Sequence, residues 1–504
     1  MRTYRFLAAA LLMLAAGVYL EAKIKLPAVL DDNMVLQRRT DVKFWGWADP
    51  GSLVRVTPSW DGSSVTASAG EDGKWLCTMP SPEAGGPYEI TFEQIAKGKA
   101  GRKGNAEDVL TLRNILVGEV WLCSGQSNME MPVKGFDRQP NEGGNMQIVK
   151  AKPSVPIRMF VADTDHGTWI RQWSVKPEED VKGKWYENTP EGVAFTSAVA
   201  YNFATMLQEA LEIPVGVIVT TLGGSEIECW MSRESIEPFR NKRINAQLDK
   251  VDNAPESLTD RDSHSVPTLM FNAKIAPFTN FAIAGFLWYQ GESNLRNARE
   301  YPELYKAMVG DWRSRWGLGD IPFYCVQIAP YSYDRKPDAL RSAYMREAQE
   351  KGARAIPNGG IVTTIDVGVP NFIHPVDKVT VGNRLALLAL GKHYGYAGYY
   401  LCESPYLESI EKVPGKIYIN VAAAPRGLYP MWTSLQGFEI AGEDRVFHKA
   451  FAEIEESTCR LAVSSPEVPD PVAVRYGFHN WAEAYVFNTG GLPLMPFRTD
   501  DWDE

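Results

Sequence analysis

A serine and a histidine follow apolar segments far apart in this chain and could together transfer an acyl group. Ser127 comes soon after the apolar residues 116–123, with Gly125 two positions before it. A serine hydroxyl is a weak nucleophile until a neighbouring base takes its proton. Of the six histidines, His374 is the one that follows a strand-like segment, residues 361–365, through a loop. Because both side chains leave the ends of strand-like segments, we predict a Ser127–His374 pair.

Acyl transfer also needs hydrogen-bond donors for the negative charge that develops on the carbonyl oxygen. The pair Gly223-Gly224 follows the apolar residues 214–221, and Gln290 follows the apolar residues 284–289. A backbone N–H and a carboxamide can both supply such a donor. Each feature by itself is more typical of a turn or a loop cap. Their occurrence with the serine and the histidine, at four segment ends, favours acyl transfer.

The pattern over residues 115–399 predicts an α/β domain. Strand-like segments alternate with helical patterns at residues 301–316 and 339–351. Strands joined by crossover helices form parallel sheets with helices on both faces. The ligand crevice of such a sheet lies outside the carboxyl ends of its strands, where the four polar features fall. Residues 129–191 are polar and weakly periodic, so we expect long excursions over that crevice.

Three other parts of the chain have distinct patterns. Residues 23–114 alternate in short runs between turn signals and predict a small β-sandwich-like domain. Residues 400–504 return to strand-like runs and predict a second β region. Residues 1–22 join two arginines to an apolar stretch, which is typical of a secretory signal peptide. We therefore expect an exported protein, periplasmic or secreted.

The composition limits the partners. The chain has 504 residues, a net charge of −10 and a pI near 5.4. Without a cluster of Lys and Arg, this charge gives no attraction for nucleic acid. After the signal, no segment of the sequence is long and apolar enough to predict a membrane span. The six cysteines lack metal-like spacing, which predicts buried free thiols at Cys123 and Cys229 and leaves pairing among the others open.

Several motifs lie around these residues and are spread over nearly the whole chain after residue 22. They include VWLCSGQSNM (residues 120–129), LGGS (222–225), WYQGESN (288–294), REAQ (346–349) and IHP (373–375). These motifs resemble those of the SGNH hydrolases, and specifically of the sialate O-acetylesterase family of carbohydrate esterases. The resemblance implies a flavodoxin-like parallel sheet and removal of O-acetyl groups from sialic acid through an acetyl-enzyme intermediate.

Carried over residue by residue, the resemblance assigns roles to the predicted site. Ser127 becomes the nucleophile and His374 the general base. The backbone N–H groups of Ser127 and Gly224 and the side chain of Gln290 become the oxyanion donors. Asn294 competes with Gln290, because the third motif of SGNH enzymes usually contributes an asparagine. The reaction so implied uses no metal or other cofactor.

One position departs from the family pattern. SGNH enzymes commonly carry an aspartate three residues before the histidine, and this chain has Asn371 there. A neutral amide can orient an imidazole but cannot supply a charge to stabilise its cation. Asp366, Asp377 or a backbone carbonyl could hold His374 instead, and the sequence leaves the third member of the triad open.

The substrate is less closely defined than the reaction. Arg346 is a candidate for contacting the carboxylate of a sialic acid, although it could equally pair with a neighbour such as Glu347. The alternative substrates are acetyl groups on xylan or on other glycans. A non-catalytic carbohydrate-binding protein is the rival from another class, suggested by 15 Trp residues and two β regions.

Overall fold

The computed structural model describes residues 24–96, 106–162, 164–165, 168–169, 173–458 and 460–502. The predicted signal peptide and Cys459 lie outside these residues. The chain divides into two compact units, the first within residues 1–27, 43–79 and 88–112, and the second within residues 28–42, 80–87 and 113–504. The predicted domain boundaries at residues 114 and 399 stay predictions.

The strands and helices are numbered in chain order. The strands are β1 (Val35–Gln37), β2 (Asp41–Trp47), β3 (Leu53–Pro58), β4 (Val65–Ser68), β5 (Lys74–Pro80), β6 (Gly85–Ile95), β7 (Ala106–Gly125), β8 (Ile157–Ala162), β9 (Thr164–Asp165), β10 (Thr168–Trp169), β11 (Gly183–Glu187), β12 (Val215–Thr221), β13 (Gly285–Tyr289), β14 (Phe323–Val326), β15 (Gly359–Val362), β16 (Tyr406–Val413), β17 (Lys416–Ala422), β18 (Leu428–Tyr429), β19 (Leu435–Ala441), β20 (Phe447–Ile454), β21 (Leu461–Ser464), β22 (Ala473–Tyr476), β23 (Phe487–Asn488) and β24 (Phe497–Arg498). The α-helices are α1 (Ser127–Glu130), α2 (Gly144–Lys150), α3 (Pro190–Phe195), α4 (Ala198–Leu211), α5 (Arg233–Ile236), α6 (Lys242–Asn253), α7 (Tyr301–Trp316), α8 (Arg341–Arg354) and α9 (Lys378–Lys392).

The first unit is built from short antiparallel strands. Strand β3 pairs with β4 on one side and β6 on the other, and β2 pairs with β5. Along β5 the residues alternate between exposed and buried, as expected for a strand with one face on a core and one face in water. The alternating pattern of the sequence therefore predicted the β-strands correctly, and the sandwich-like arrangement stays a prediction.

The second unit contains the predicted α/β sheet, with strand order β11-β8-β12-β7-β13-β14-β15. Six neighbouring strands of this order, β8, β12, β7, β13, β14 and β15, run parallel to one another. Strand β11 lies at the edge of the sheet and runs antiparallel to β8. The prediction of a parallel sheet is therefore confirmed for these six strands, whereas the antiparallel β11 makes the sheet mixed. An antiparallel strand at the edge of a sheet can follow its neighbour without a crossover helix. No helical pattern in the sequence therefore indicated β11.

Helices cover both faces of this sheet. Side chains alternate across a strand, so Leu287 and Tyr289 pack in the core with α4 and α9, whereas Phe286 and Trp288 pack against Trp312 of α7. Helix α7 also packs against α8. The predicted helices at residues 301–316 and 339–351 are confirmed, the first at the predicted bounds and the second within three residues.

The predicted excursion at residues 129–191 is only partly irregular. It contains β8, which is buried along its whole length within the sheet, and the edge strand β11. The polar surroundings of β8 concealed a six-residue apolar run. The loop between α1 and α2, residues 131–143, is irregular and contacts the loop between β15 and α9, where Glu142 N–H donates to the carbonyl of Val376.

The register of the central strands aligns their carboxyl ends. Gly125 at the end of β7 lies opposite Thr221 of β12 and Tyr289 of β13. Gly125 has a φ of +138°, and a Cβ there would lie 2.2 Å from the carbonyl oxygen of Tyr289. Only glycine fits this close approach. The chain therefore turns out of the sheet at this point and presents Ser127 two residues later, next to the ends of β12 and β13.

The C-terminal region of the second unit is an antiparallel sheet in the order β16-β17-β21-β20-β19-β22-β24. It has its own buried cluster, which includes Phe438, Ile440 and Tyr476. This agrees with the β region predicted after residue 400. Within the described residues, no helix has the length and apolar character needed to cross a bilayer.

Candidate active site

Ser127 and His374 meet at the carboxyl edge of the α/β sheet. Ser127 begins α1, two residues after the end of β7, and its Oγ lies 2.8 Å from Nε2 of His374. His374 lies in the loop between β15 and α9, and its ring packs edge-on against Phe136 at 5.6 Å between ring centroids. The two residues are 247 positions apart in the sequence, and the fold brings them within hydrogen-bond distance.

Gln139 is the third member of this arrangement. Its Oε1 lies 2.5 Å from Nδ1 of His374. An amide oxygen can only accept a hydrogen bond, so the proton of the neutral imidazole lies on Nδ1. Nε2 is then unprotonated and faces the Ser127 hydroxyl, which is the tautomer that can take the serine proton. The loop that carries Gln139 is tied to the histidine loop where Glu142 N–H donates to the carbonyl of Val376 at 2.9 Å.

Asp366, the residue we considered as a third triad member, does not contact His374. Both of its carboxylate oxygens accept hydrogen bonds from the guanidinium of Arg384, at 2.7 and 2.5 Å. Asp377 caps the N-terminus of α9 by accepting from the N–H of Thr380. Both carboxylates are therefore committed elsewhere, and an uncharged amide supports the imidazole.

The environment of His374 keeps the ring neutral. Burial, and to a smaller extent the positive charge of Lys378, together lower the pKa of His374 from its ordinary value to about 4. The neighbour of Nδ1 is the uncharged amide of Gln139, which does not stabilise the cation as a carboxylate would. The imidazole is consequently a free base over the neutral pH range.

The glycine pair lies next to the nucleophile, as predicted. A Cβ on Gly223 would stand 3.5 Å from Cβ of Ser127 and 3.0 Å from Oε2 of Glu130. Gly224 is in the left-handed region, with φ of +72°. The N–H of Ser127, at the first position of α1, cannot have a partner inside its helix. The glycine pair and the start of α1 are therefore neighbours at this edge of the sheet.

The side chains of Gln290 and Asn294, predicted as oxyanion donors, form hydrogen bonds within the protein. Gln290 Nε2 donates to the carbonyl of Ser225 at 2.9 Å and to Oδ1 of Asn294 at 2.7 Å, so both of its hydrogens are used. Asn294 is fully buried, and its Nδ2 donates to Glu228 at 2.8 Å. Gln290 therefore holds the turn that contains the glycine pair, and the prediction that it donates to an oxyanion is not supported by this geometry.

A buried polar chain lies behind the Ser127–His374 pair. Nζ of the fully buried Lys378 donates to Oδ1 of Asn128 at 2.6 Å, and Asn128 Nδ2 donates to Oε1 of Glu292 at 2.5 Å. The same Nδ2 lies 3.2 Å from the carbonyl of Ile373. Asn128 follows Ser127 and Ile373 precedes His374. This series of hydrogen bonds therefore joins the two segments that carry the reacting groups.

Both charged ends of this chain have shifted pKa values. Burial lowers the pKa of Lys378 to about 7, although the carboxylates of Glu292 and Asp377 oppose that shift. Burial also raises the pKa of Glu292. Each charge is separated from water, and the amide of Asn128 stands between them.

Arg346, predicted as a contact for a substrate carboxylate, is fully buried. Its guanidinium donates to the hydroxyl of Ser342 and to the carbonyls of Gly477 and His479. Burial lowers the pKa of Arg346 to about 10. Glu347, the alternative partner, pairs instead with Arg498 and Lys351. Arg346 thus attaches α8 to the C-terminal β region and does not face a substrate.

Sequence reasoning missed Gln139 and the role of Lys378. A glutamine in an irregular loop carries no pattern that points to a histidine 235 positions away. Lys378 did leave a signal, because it lies three, four and seven residues before Val381, Gly382 and Leu385 on the buried face of α9. A lysine at that spacing is a buried charge, which calls for a specific partner. The five described cysteines, including the predicted Cys123 and Cys229, are free thiols.

Comparison with known proteins finds similarity to carbohydrate esterases. A family model described as "Carbohydrate esterase, sialic acid-specific acetylesterase" matches residues 117–390. The sialate O-acetylesterase of Pongo abelii is 28% identical over 93% of this chain and 91% of its own length, and that of Homo sapiens is 29% identical over 78% and 75%. The crystal structure of XAC1771, a carbohydrate acetylesterase from Xanthomonas citri, is 33% identical, covers 95% of this chain and all of its own, and superposes with a TM-score of 0.81.

The similarity to these esterases, together with the serine–histidine pair at the carboxyl edge of the sheet, identifies the protein as a carboxylic ester hydrolase. Within that class, the chain belongs to the sialic acid-specific acetylesterase family of carbohydrate esterases. The resemblance read from the sequence motifs is thereby confirmed.

Proposed function

We propose that the protein is a sialate O-acetylesterase in which Ser127 attacks the acetyl carbonyl and His374 moves the proton. The observation that carries this proposal is the 2.8 Å contact between Ser127 Oγ and His374 Nε2, with Gln139 fixing the opposite ring nitrogen. The family match and the names of the curated relatives support the choice of an O-acetylated sialic acid as substrate.

The reaction has two halves. In the first, Ser127 Oγ bonds to the acetyl carbon while its proton passes to Nε2 of His374, and the sugar hydroxyl leaves with that proton. In the second, water attacks the acetyl-enzyme, gives a proton to His374, and acetate leaves as the serine recovers its hydroxyl proton. The backbone N–H groups of Ser127 and Gly224 donate to the carbonyl oxygen in both tetrahedral intermediates.

Replacing the nucleophile tests the mechanism. Ser127→Ala should lower hydrolysis of 4-nitrophenyl acetate at least a thousandfold and leave the circular dichroism spectrum and the thermal midpoint unchanged. Ser314→Ala, at an exposed position of α7, is the matched control and should keep wild-type activity. Retention of more than a tenth of the wild-type rate by Ser127→Ala would exclude it as the nucleophile.

Acetyl groups on a neutral glycan such as xylan are the second candidate substrate. Two observations favour it. Arg346, the cation expected to bind a sialic acid carboxylate, is buried among backbone carbonyls, and the XAC1771 structure, described only as a carbohydrate acetylesterase, has the higher sequence identity. Initial rates on O-acetylated N-acetylneuraminic acid and on acetylated xylo-oligosaccharides separate the two candidates. A tenfold or greater preference for the xylo-oligosaccharide would replace sialic acid as the substrate.

We also propose that the protein is exported, on the basis of the two arginines and the apolar stretch within residues 1–22. Expression of the full sequence in a bacterial host should yield a processed protein in the periplasm or medium. N-terminal sequencing of that protein should start near residue 23, and an intact Met1 in the cytoplasmic fraction would contradict export.

A further inference from the structure

A cavity of about 810 Å³ lies against the C-terminal β region, in addition to the site around Ser127. Four aromatic side chains line it, namely the buried Phe438 together with Phe451, Trp481 and Tyr485. Phe451 is 60% exposed although it lies in strand β20. The ring of Tyr485 would come within 3.1 Å of a Cβ on Gly437, which has φ of +83°, so the absence of a side chain there gives the ring its place.

The cavity is connected to the catalytic edge of the sheet through one loop. Residues 327–340 follow β14 at its carboxyl end, and Asp338 of this loop lines the cavity. Ser332 N–H donates to the carbonyl of Pro370, four residues before His374. Further along, Trp481 N–H donates to the carbonyl of Pro337. The same loop therefore contacts the histidine loop on one side and the aromatic wall of the cavity on the other.

The polar lining includes the three carboxylates of Asp338, Glu439 and Glu483. Glu439 accepts from Nε2 of His479 at 2.7 Å, and His479 Nδ1 donates to the carbonyl of Asp338 at 2.9 Å. Glu483 accepts from the hydroxyl of Tyr485 at 2.6 Å. The carboxylates of Glu439 and Glu483 are thus each held by a hydrogen bond to another residue of the lining. Carboxylate oxygens accept from sugar hydroxyls, and aromatic faces pack against the C–H faces of pyranose rings.

We propose that this cavity is a second glycan-binding site, which takes a neutral pyranose residue of the same chain whose acetylated residue lies at Ser127. This inference rests on the proposed function for the identity of the chain, because the aromatic and carboxylate lining alone specifies a sugar ring and not a particular glycan. The carboxylates Asp338, Glu439 and Glu483 exceed the cations Lys449 and His479 in the lining, which disfavours an anionic ring.

The buried Arg346 fits this assignment. Its guanidinium donates to the carbonyls of Gly477 and His479, and both of these residues line the cavity. Helix α8, which carries Arg346, thus fixes the floor of the cavity from inside the protein. A site held rigidly in this way loses little conformational entropy when a sugar binds.

Binding is measured by isothermal titration calorimetry of the full-length protein. The neutral probes are cellotetraose, xylotetraose and β-1,4-galactotetraose, and tetragalacturonic acid is the anionic comparison. At least one neutral tetrasaccharide should bind, and Phe451→Ala and Trp481→Ala should weaken its affinity about tenfold. Trp432→Ala is the matched control, since Trp432 is 84% exposed in the same region and does not line the cavity. Phe451 is largely exposed, so its removal leaves the fold intact.

Kinetics give the second measurement. In Phe451→Ala, kcat/KM for 4-nitrophenyl acetate should stay within twofold of wild type, whereas KM for an acetylated tetrasaccharide should rise about tenfold at unchanged kcat. Any of three results would overturn the proposal. None of the neutral tetrasaccharides binds at millimolar concentration, Phe451→Ala binds as tightly as wild type, or tetragalacturonic acid binds more tightly than the neutral tetrasaccharides. Failure of the wild type to hydrolyse 4-nitrophenyl acetate would instead overturn the esterase function, and the titrations decide the glycan site separately.

Discussion

The contact between Gln139 and His374 makes the sharpest prediction about this active site. Replacing Gln139 with alanine removes the acceptor 2.5 Å from His374 Nδ1 and leaves the Ser127 contact in place. Replacing it with glutamate keeps the shape and the acceptor but adds a negative charge. The two variants therefore separate orientation of the ring from stabilisation of its cation.

The expected sizes follow from the kind of hydrogen bond. A neutral hydrogen bond contributes about 1 kcal/mol net, and a charged one about 1.5 to 3 kcal/mol. Since about 1.4 kcal/mol corresponds to one pKa unit or a tenfold rate, Gln139→Ala should lower kcat about fivefold to tenfold at pH 8. Gln139→Glu should raise the pKa of His374 by about one to two units, because a carboxylate favours the imidazolium.

The assay is the pH dependence of kcat/KM for 4-nitrophenyl acetate. His374 acts as a base only when neutral, so activity rises as pH increases through its pKa, which is about 4 in the wild type. The rising limb should move to between about pH 5 and 6 in Gln139→Glu and stay at or below its wild-type position in Gln139→Ala. Gln208→Ala, on α4, serves as a control for loss of a glutamine elsewhere.

Unchanged kcat in Gln139→Ala together with an unmoved limb in Gln139→Glu would refute the reasoning. Such a result would mean that Gln139 does not contact the ring in the working enzyme and that another group holds Nδ1. A large loss of thermal stability in either variant would be visible in the melting curve and is not expected, because the contact lies at a loop on the edge of the sheet.

Three further predictions concern residues around the pair. Asp366→Asn should leave the pH profile unchanged, because Asp366 does not contact His374. It should lower the free energy of unfolding, measured in urea, by on the order of 3 kcal/mol, because it breaks the ion pair with Arg384. A loss of kcat without a loss of stability would show that the carboxylate takes part in the reaction. Lys378→Met should move the rising limb of the pH profile to higher pH, because the positive amine lowers the pKa of His374. It should also reduce kcat about tenfold, because the hydrogen bond to Asn128 is lost. Lys392→Met, at the exposed end of the same helix, should have neither effect. Gly125→Ala should cost about 3 kcal/mol or more of stability in the same urea titration, since its Cβ would overlap the carbonyl of Tyr289, and a stable variant would contradict the described turn.

Local patterns predicted the parts of the fold that are encoded by neighbouring residues. The helix at residues 301–316 and the strands that precede Ser127, Gly224 and Gln290 were recognisable from apolar periodicity. Strand β8 was not, because a six-residue apolar run inside a polar segment carries too little signal. The antiparallel direction of β11 was also not predictable, since a strand has the same side-chain pattern in either direction.

The residue types and the carboxyl-edge rule determined from the sequence alone that Ser127, His374 and the glycine pair would share one site. Which partner each polar group has was decided only by the tertiary structure. Asp366 was a plausible triad member until Arg384 was seen to hold both of its oxygens, and Gln290 and Arg346 turned out to brace the backbone. The physical reason is that a hydrogen bond depends on distances of a few tenths of an ångström between segments remote in the sequence, whereas apolar periodicity depends only on the local chain.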